Sequence, residues 1–530
     1  RPVNGTCDIG AVESRGFTMA VTGGNNQSTN INTAFANPLV VSIASAFSEP
    51  VNGGMVTFDA PDTGASLSVI TPQPVTITGG TVSLSVTANG TPGSYTVPVS
   101  ASGASSVSVS FSLINADIPD LTVDRTDDDT SAGATACLTA TNDCTLRGAI
   151  QMANALAGTD TITFNPTVFA TPQTINLGSN LPTITTSMTI DGPDTARVTV
   201  NAGNVNGRRV FTIDGGGGII AVELMNLKIT GGKCDSGCPT VLTVFGGGVF
   251  ASGANIILVN TVIDGNGATA GGGIYVGDTI YDHASTITIL NSSISNNIAT
   301  YGGGIYNDRF KATYIVNSTI SHNTAYQGGA VYNDEGALTV NSSTISGNTS
   351  TYYGALAITN NSMVSLLNTI VAGNTESGYD ADCGGTITTN AHNLLDASCN
   401  PTGTDILTTE PLLAPLSLYG GSTQTHPPLP GSPAIDAGDN AICASDPVNN
   451  LDQRGVSRPM NGTCDIGAVE SRGFSLAITG GNNQTTNINT AFANPLVVSI
   501  ISAFGEPVNS GVVTFDAPDT GASLSIITPQ

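Results

Sequence analysis

The chain has 530 residues, only 10% of them charged, and a formal net charge of −25 at pH 7. Its 14 Lys and Arg residues are scattered, which argues against nucleic acid as a partner, because phosphate contacts need clustered basic side chains. No run of about 18 apolar residues occurs, so no membrane-spanning helix is expected, and the many Gly, Ser, Thr and Asn residues favour β-structure rich in turns.

The first 73 residues return as the last 73. Residues 1–73 recur at 458–530 with ten substitutions, and exchanges such as Val21 for Ile478 nearly conserve volume. We therefore interpret the chain as one full period of a tandem array plus part of the next. Residues 1–15 are then the tail of a preceding β-helix module. Residues 472–530 are an incomplete second Ig-like β-sandwich, expected to be stable only with strands from the continuing array or from a neighbour.

Residues 16–115 contain seven or eight short alternating runs separated by Gly, Pro and Asn turns. Such a series within about 100 residues is typical of an Ig-like β-sandwich. The segment has neither Cys nor Lys, so its core must be aliphatic and cannot carry a disulfide or a Lys–Asn crosslink.

An acidic linker is predicted over residues 116–136. It carries a run of aspartates that could hold calcium and stiffen the joint, although a disordered linker is the simpler interpretation. The candidate calcium ligands are Asp124, Asp127, Asp128 and Asp129.

The one helical signal is CTLRGAIQMANALAG at 144–158, in which Leu146, Ile150 and Ala153 share a face. It precedes a long β-region and is predicted to cap the open end of that region's core. We assign residues 137–471 to this capped domain and its C-terminal tail.

A period near 25 residues begins at about residue 160. Apolar anchors recur at Ile263, Ile294, Ile320, Ile345 and Val371, and a second apolar residue precedes each anchor by five positions. Asparagines follow the anchors by three positions, at Asn266, Asn297, Asn323, Asn348 and Asn374. A coil of parallel strands explains this pattern, because equivalent residues of stacked coils form ladders about 4.8 Å apart. The sequence therefore predicts an all-β chain with a right-handed parallel β-helix of about ten coils, joined to Ig-like modules.

The nine cysteines suggest local disulfides. The short spacings favour four pairs, with buried free thiols as the alternative. Cys7 is the repeat counterpart of Cys464, and its partner is expected upstream of Arg1. The pairs are Cys137 with Cys144, Cys234 with Cys238, Cys383 with Cys399, and Cys443 with Cys464.

Two carboxylates are the candidates for catalysis. Asp308 and Asp334 occupy equivalent positions in adjacent coils, and stacking would place them at about the separation that retaining glycosidases use. Arg309 or Lys311 could serve as a lyase base. A solvated Asn-Asp turn is the simpler interpretation.

Aromatic residues follow the Gly-rich strand starts and are predicted to point outward as a ladder. They could bind glycan or, as we favour, pack beneath a loop or a neighbouring chain. They are Phe250, Tyr275, Tyr306 and Tyr332. The four histidines, His283, His322, His392 and His426, show no metal-site spacing.

Three motifs near the C-terminus carry a family resemblance: SPAIDAGD at 432–439, DQRG at 452–455 and RPMNGTCDIGAVE at 458–470. They resemble the C-terminal region of bacterial choice-of-anchor Q surface proteins. CLTATNDCTLRGAIQMANA at 137–155 is similar to the CSLREA-type segment of large secreted proteins with pectate-lyase-like β-helices. The resemblance implies export and cell-surface association without an assigned activity. This chain departs from it at Gly148, where the family usually carries an acidic residue.

The leading functional prediction is a non-catalytic repeat unit of an extracellular bacterial fibre or giant surface adhesin. Its partners would be copies of itself, with cell-surface glycans as further candidates. No cofactor is predicted apart from the candidate calcium. The alternative is a secreted polysaccharide lyase or glycoside hydrolase, or a carbohydrate-binding module, on the same scaffold.

Overall fold

The computed structural model describes residues 15–49, 51–69, 73–101, 108–238, 244–277, 284–359 and 361–525. The chain divides into two compact units. The first comprises the described residues up to Asp120 together with Leu138–Ala140. The second comprises Leu121–Cys137 and the described residues from Thr141 onward. Both are built almost entirely from β-strands. The division of the sequence into five segments stays a prediction.

The first unit contains ten strands. They are β1 (Thr18–Gly23), β2 (Gln27–Asn30), β3 (Leu39–Ala44), β4 (Met55–Phe58), β5 (Leu67–Val69), β6 (Val75–Thr76), β7 (Thr81–Leu84), β8 (Val86–Ala88), β9 (Gly93–Ala101) and β10 (Ser108–Ala116).

These strands form a sheet of order β1-β3-β7, a sheet of order β2-β10-β9-β4-β6 and the pair β5-β8. All pairings are antiparallel except that of β10 with β2. Alternate side chains of both larger sheets meet in one mostly aliphatic core, which includes Leu39, Val41, Val97 and Phe111. The alternating runs in the sequence thus form strands with one buried face.

The second unit begins with one helix and a series of short strands. They are β11 (Thr122–Val123), α1 (Leu146–Ala155), β12 (Asp160–Phe164), β13 (Thr174–Asn176), β14 (Met188–Asp191), β15 (Val198–Asn206), β16 (Phe211–Asp214), β17 (Ile220–Met225), β18 (Leu227–Cys234), β19 (Val249–Ser252), β20 (Ala254–Val259), β21 (Val262–Asp264), β22 (Gly267–Ala270) and β23 (Ile274–Val276).

The series continues with a second short helix near its end. The remaining elements are β24 (Thr286–Leu290), β25 (Ser293–Ser295), β26 (Ile298–Tyr301), β27 (Ile305–Asn307), β28 (Ala312–Val316), β29 (Thr319–Ser321), β30 (Thr324–Gln327), β31 (Val331–Asn333), β32 (Ala337–Asn341), β33 (Thr344–Ser346), β34 (Thr349–Tyr352), β35 (Leu356–Ile358), β36 (Met363–Leu367), β37 (Ile370–Val371), β38 (Thr375–Glu376), β39 (Tyr379–Asp380), β40 (Cys383–Gly384), β41 (Thr389–Ala391), β42 (Leu394–Leu395), a 3-10 turn at Ala397–Cys399, β43 (Ile406–Leu407), α2 (Asn440–Ala444), β44 (Ser475–Gly480) and β45 (Val497–Ile501).

Three long sheets run through this unit. The first has the order β11-β12-β14-β17-β20-β24-β28-β32-β36-β41. The second and largest has the order β39-β38-β34-β30-β26-β22-β18-β21-β25-β29-β33-β37-β42-β43, and β13 joins it through β15, which pairs with β18. The third has the order β16-β19-β23-β27-β31-β35-β40. Apart from the β38–β39 hairpin, their strands pair in parallel. The chain visits the sheets in rotation, as from β24 through β25, β26 and β27 to β28. This parallel stack is compatible with a β-helix.

The apolar anchors that the 25-residue period predicts are aligned in register in neighbouring strands. Ile294 lies beside Ile263 on one side and Ile320 on the other, and Ile345 and Val371 continue the column. All five side chains are buried in the core of the stack. Helix α1 packs against β11 and β12 and contributes Leu146, Ile150 and Ala153 to the same core. It therefore covers the first strands, as expected of a cap.

The predicted asparagines form a buried hydrogen-bonded column. The Nδ2 atoms of Asn266, Asn297, Asn323 and Asn348 donate to Oδ1 of the next asparagine at 2.9–3.0 Å. Each Oδ1 also accepts the backbone N–H of the asparagine one coil before, and each Nδ2 reaches a backbone carbonyl. At the end of the column, Asp382 Oδ1 accepts both N and Nδ2 of Asn374. The column satisfies polar groups that the turns bury.

A second set of asparagines has a backbone role. Asn260, Asn291, Asn317 and Asn368 adopt left-handed conformations with φ between 45° and 50°. Asparagine tolerates this region better than other side chains. Ser342, which interrupts the sequence pattern, has φ 47° at the same turn, so the turn geometry is kept although the residue differs.

The structure contains four disulfides. They join Cys137 to Cys144, Cys234 to Cys238, Cys383 to Cys399 and Cys443 to Cys464, the same pairs that the spacings favour. Cys7 lies outside the described residues.

Between residues 458 and 525, the described part of the second copy of the repeated segment, the strands are the antiparallel pair β44–β45. Leu39 is fully buried in the first unit, whereas its counterpart Leu496 is 48% exposed. The difference follows because residues 472–525 contain no counterparts of β7, β9 and β10, which cover this surface in the first unit.

The asparagine column predicts a specific loss of stability. Asn323→Ala removes the partner of the buried Asn297 N–H and one of the two donors to the Asn348 Oδ1, so the free energy of local opening should fall by about 2–3 kcal/mol. Hydrogen exchange of the amides in β25, β29 and β33 should then be roughly 30- to 150-fold faster. The exposed neighbour Thr324→Ala is the matched control and should leave exchange unchanged. Equal effects of the two substitutions would contradict the role of the column.

Candidate functional site

The predicted aromatic residues form one stacked ladder on the third sheet. The rings of Phe250 and Tyr275 lie 5.5 Å apart, those of Tyr275 and Tyr306 5.3 Å, and those of Tyr306 and Tyr332 5.1 Å, with interplanar angles of 3–22°. In-register pairing of β19, β23, β27 and β31 imposes this stacking, because equivalent residues lie directly above one another.

Part of this ladder is covered by neighbouring side chains. Phe250 and Tyr275 are only 2% and 3% exposed. The guanidinium of Arg209 lies 4.5 Å above the Phe250 ring, and Phe245 stacks on Tyr275 at 4.7 Å. Phe250 and Tyr275 are therefore covered by other side chains of the same unit, while Tyr306 and Tyr332 are half-buried. The role of the ladder as an interface stays a prediction.

The candidate catalytic carboxylates bind tyrosines of this ladder. The Tyr275 hydroxyl donates to Asp308 Oδ2 at 2.9 Å, and the Tyr306 hydroxyl donates to Asp334 Oδ2 at 3.0 Å. Burial raises the pKa of Tyr275 and of Tyr306, so both remain protonated donors, and burial also raises the pKa of Asp308. Each carboxylate is thus fixed by the coil before it.

The surroundings of these carboxylates offer little for catalysis. Lys311 is only 1% exposed and so is not accessible to a substrate at the surface, and Arg309 lies at the surface 3.7 Å from Glu335. Two open depressions lie away from these carboxylates, one on the strands around Tyr95 and one between Pro430 and Val512. The geometry therefore resembles a structural ladder more than a substrate cleft.

The aspartate run of the linker is folded against the cap helix. Asp128 accepts two hydrogen bonds from Arg147, at 2.8 and 2.6 Å, in a buried pair. Arg125 contacts Asp127 and Asp129, at 2.7 and 3.3 Å. Asp124 accepts the backbone N–H groups of Asn142 and Cys144. The run fastens the linker to the domain, and calcium at these residues stays a prediction.

Gly148 lies at a sterically crowded point of the cap helix. A Cβ at this position would lie 2.6 Å from the Thr135 Cα and 3.0 Å from the Cys137 Sγ. An acidic side chain could not be accommodated without moving the backbone that the Cys137–Cys144 disulfide holds.

The motifs at 432–439, 452–455 and 458–470 belong to residues 411–471, which lie against the stack and which we call the strap. Its contacts follow the column of left-handed turns. Thr423 Oγ1 donates to the Asn291 carbonyl at 2.8 Å, Asn317 Nδ2 donates to the Leu451 carbonyl at 3.0 Å, and the Gly467 N–H donates to the Asn368 carbonyl at 2.8 Å. The strap therefore covers the polar corner that these turns create.

The DQRG motif anchors the strap through buried side chains. Gln453 donates to the Ser292 carbonyl at 3.2 Å and accepts from Thr319 Oγ1 at 2.6 Å. Asp452 binds Arg454 at 2.7 and 2.9 Å and accepts the Glu470 N–H. These contacts give the motif a structural role that its sequence did not reveal.

A buried histidine holds another part of the strap. His426 Nδ1 donates to the Ala414 carbonyl at 2.7 Å, which leaves Nε2 to accept from Ser321 Oγ at 2.8 Å. Burial lowers the pKa of His426 to about 4. His322 stacks on it with ring centroids 5.9 Å apart, His392 lies 3.8 Å from Asp439, and His283 is outside the described residues.

A buried glutamate joins the strap to the residues that follow it in the second unit. Glu506 accepts the Arg472 N–H and lies 3.3 Å from Arg472 Nε and 3.8 Å from Arg454 Nη1. The first copy repeats part of this arrangement, because Glu49 accepts the N–H of Arg15 at 2.9 Å. This ion cluster was not predicted from the sequence. The recurrence of Arg15 and Glu49 as Arg472 and Glu506 could have indicated that the two residues interact.

Comparisons with known proteins add no assignment. No family model, no curated protein and no solved structure matches this chain. Within the described ranges, no helix is long and apolar enough to cross a membrane. In the same part of the chain, no group of three or more His, Cys, Asp or Glu side chains is placed to hold a metal ion.

His426 predicts a strap that loosens in acid. Its pKa of about 4 in the folded chain lies below the unfolded value of about 6.5, so the unfolded state binds more protons between these values. Stability should therefore fall as the pH drops from about 6.5 to 4, by up to about 3 kcal/mol. Hydrogen exchange of residues 411–430 measured across this range reports the effect.

His426→Gln keeps one donor and one acceptor but does not titrate, so its stability should lose most of this pH dependence. His392→Gln, which removes a histidine that lies beside Asp439 and not beside His426, is the matched control and should keep the acid response of the unmodified chain. An unaltered acid response in the His426 variant would contradict the prediction.

Proposed function

We propose that this chain is a repeat unit of an extracellular bacterial fibre or giant cell-surface adhesin and that it has no catalytic activity. In this proposal the parallel stack is a right-handed β-helix of about ten coils, and the sheets of the first unit form an Ig-like sandwich. The observation that carries the proposal is the return of residues 1–73 at 458–530 with ten substitutions. Near-identical long modules in tandem are typical of arrays.

Several structural features support a load-bearing role. The core of the stack is continuous from Val123 to Cys399, so the coils cannot separate without exposing apolar surface. The strap crosses successive coils, and Glu506 ties the strap to the next copy of the repeat. Such a joint would transmit force from one module to the next.

The proposed location rests on the cysteines and on the family resemblance. Four disulfides suggest an oxidising, extracellular type of environment. Association with the bacterial cell surface is inferred from the three C-terminal motifs that resemble those of surface proteins.

Electron microscopy of native material tests the fibre. Negatively stained or frozen specimens should show filaments with a regular axial repeat that corresponds to one 457-residue module. The repeat should be no shorter than about 50 Å, the length of about ten coils at about 4.8 Å each. Dispersed single particles without such a repeat would contradict the proposal.

The non-catalytic assignment has its own test. Incubation with acidic and neutral polysaccharides should release no oligosaccharides, because Asp308 and Asp334 already accept tyrosine hydroxyls. Cleavage that is abolished by Asp334→Asn but retained by Glu335→Gln, a neighbouring surface carboxylate, would favour a polysaccharide lyase or glycoside hydrolase instead.

A further inference from the structure

An exposed group of tyrosines lies beside the predicted aromatic ladder, on a different sheet. We call it the tyrosine face: Tyr301, Tyr326, Tyr352, Tyr353 and Tyr379, which are between 36% and 80% exposed. They lie on or beside strands β26, β30, β34 and β39 of the largest sheet. Contiguous exposed aromatic surface of this kind normally marks an interaction site.

The face is held rigidly by the sheet beneath it. Tyr301, Gln327 and Tyr352 pair in register in three successive strands. The rings of Tyr326 and Tyr352 meet edge to face at 5.0 Å, and Tyr301 meets Tyr332 in the same way at 5.5 Å. Side chains that are already ordered lose little conformational entropy on binding.

Three of the strands that carry the face, β26, β30 and β34, contain no charged residue although the chain is strongly acidic. The strand sequences IATY, TAYQ and TSTY contain no Asp, Glu, Lys or Arg, while the whole chain carries −25. At the β39 end of the face, Tyr379 pairs with Glu376, whose Oε2 accepts the Gly354 N–H at 3.0 Å. Two copies of this chain would therefore repel each other least where these faces meet.

We propose that the tyrosine face binds the same face of a second copy of this chain, related by a two-fold axis. This inference rests on the proposed fibre and assigns its lateral contact. Tyrosine suits such a contact because it combines a large apolar ring with a polar tip. A second copy fits better than a neutral glycan, because the rings meet at interplanar angles of 69° and 70° and so present few parallel platforms on which sugars could stack.

A single contact of this kind is weak. The tyrosine face spans four strand spacings of about 4.8 Å in one direction and about four residues of about 3.3 Å in the other. Its area is therefore on the order of 250 Å². A stable complex buries about 800 Å² per partner. Lateral association therefore depends on many modules of an array engaging together.

Dityrosine crosslinking of the full chain tests the contact. Equal amounts of ¹⁴N- and ¹⁵N-labelled chain are mixed at high concentration, photo-oxidised briefly and digested for mass spectrometry. Mixed-isotope dityrosines at Tyr326, Tyr352 or Tyr379 should exceed those at Tyr314 at least fivefold. Tyr314 is 42% exposed but lies on another sheet, so it reports chance collisions.

The variant carrying Tyr326→Ser and Tyr352→Ser should lose the mixed-isotope links at Tyr379, whereas Tyr314→Ser should retain them. Both variants should keep the thermal transition of the unmodified chain, because the altered side chains are exposed. Mixed-isotope links that are absent, or spread equally to Tyr314, would overturn the proposal. Binding of cellohexaose that the double variant loses, without mixed-isotope links, would assign the face to glycan and also overturn it.

The axial repeat of the filaments tests the proposed fibre, whereas the mixed-isotope links test only the lateral contact. Single filaments with a regular axial repeat but no mixed-isotope links would leave the fibre standing and remove only the lateral contact. Material without any axial repeat would remove the fibre itself.

Discussion

A buried turn in a parallel stack must find hydrogen-bond partners for its backbone, and the column from Asn266 to Asn374 supplies them. Each amide accepts a backbone N–H from the coil before and donates to a carbonyl, so every coil depends on its neighbours. A shift in register would leave all of these groups unpaired at once. Asp382 ends the column because a carboxylate accepts hydrogen bonds but has no N–H to pass onward.

The strap supplies hydrogen-bond partners to the left-handed turns at one corner of the stack. Left-handed turns at Asn291, Asn317 and Asn368 point carbonyls and amides outward along one corner, where a bare stack would depend on water. Gln453 and His426 fill buried positions between this corner and the strap. The strap thus adds contacts between coils that lie far apart along the stack, which makes the domain more cooperative than nearest-neighbour pairing alone would.

Several of the chain's few cationic side chains lie in its interior. Arg147, Arg209, Arg454 and Arg458 are buried and bind carboxylates, carbonyls or an aromatic ring. The exposed surface is consequently dominated by acidic groups, which keeps copies of the chain apart over most of its area. Electrostatic repulsion between two copies is then weakest at uncharged surface, such as strands β26, β30 and β34 of the tyrosine face.

The sequence by itself determined the repeat, the 25-residue rhythm of the stack, the asparagine column and the four cysteine pairs, because each depends on contacts between equivalent or nearby residues. Only the tertiary structure decided that Phe250 and Tyr275 are buried while Tyr326 is exposed, since strand alternation shows which side a residue faces but not what covers that side. The places of Arg147 and Gln453 were likewise decided by partners distant in sequence, and no local periodicity records such contacts.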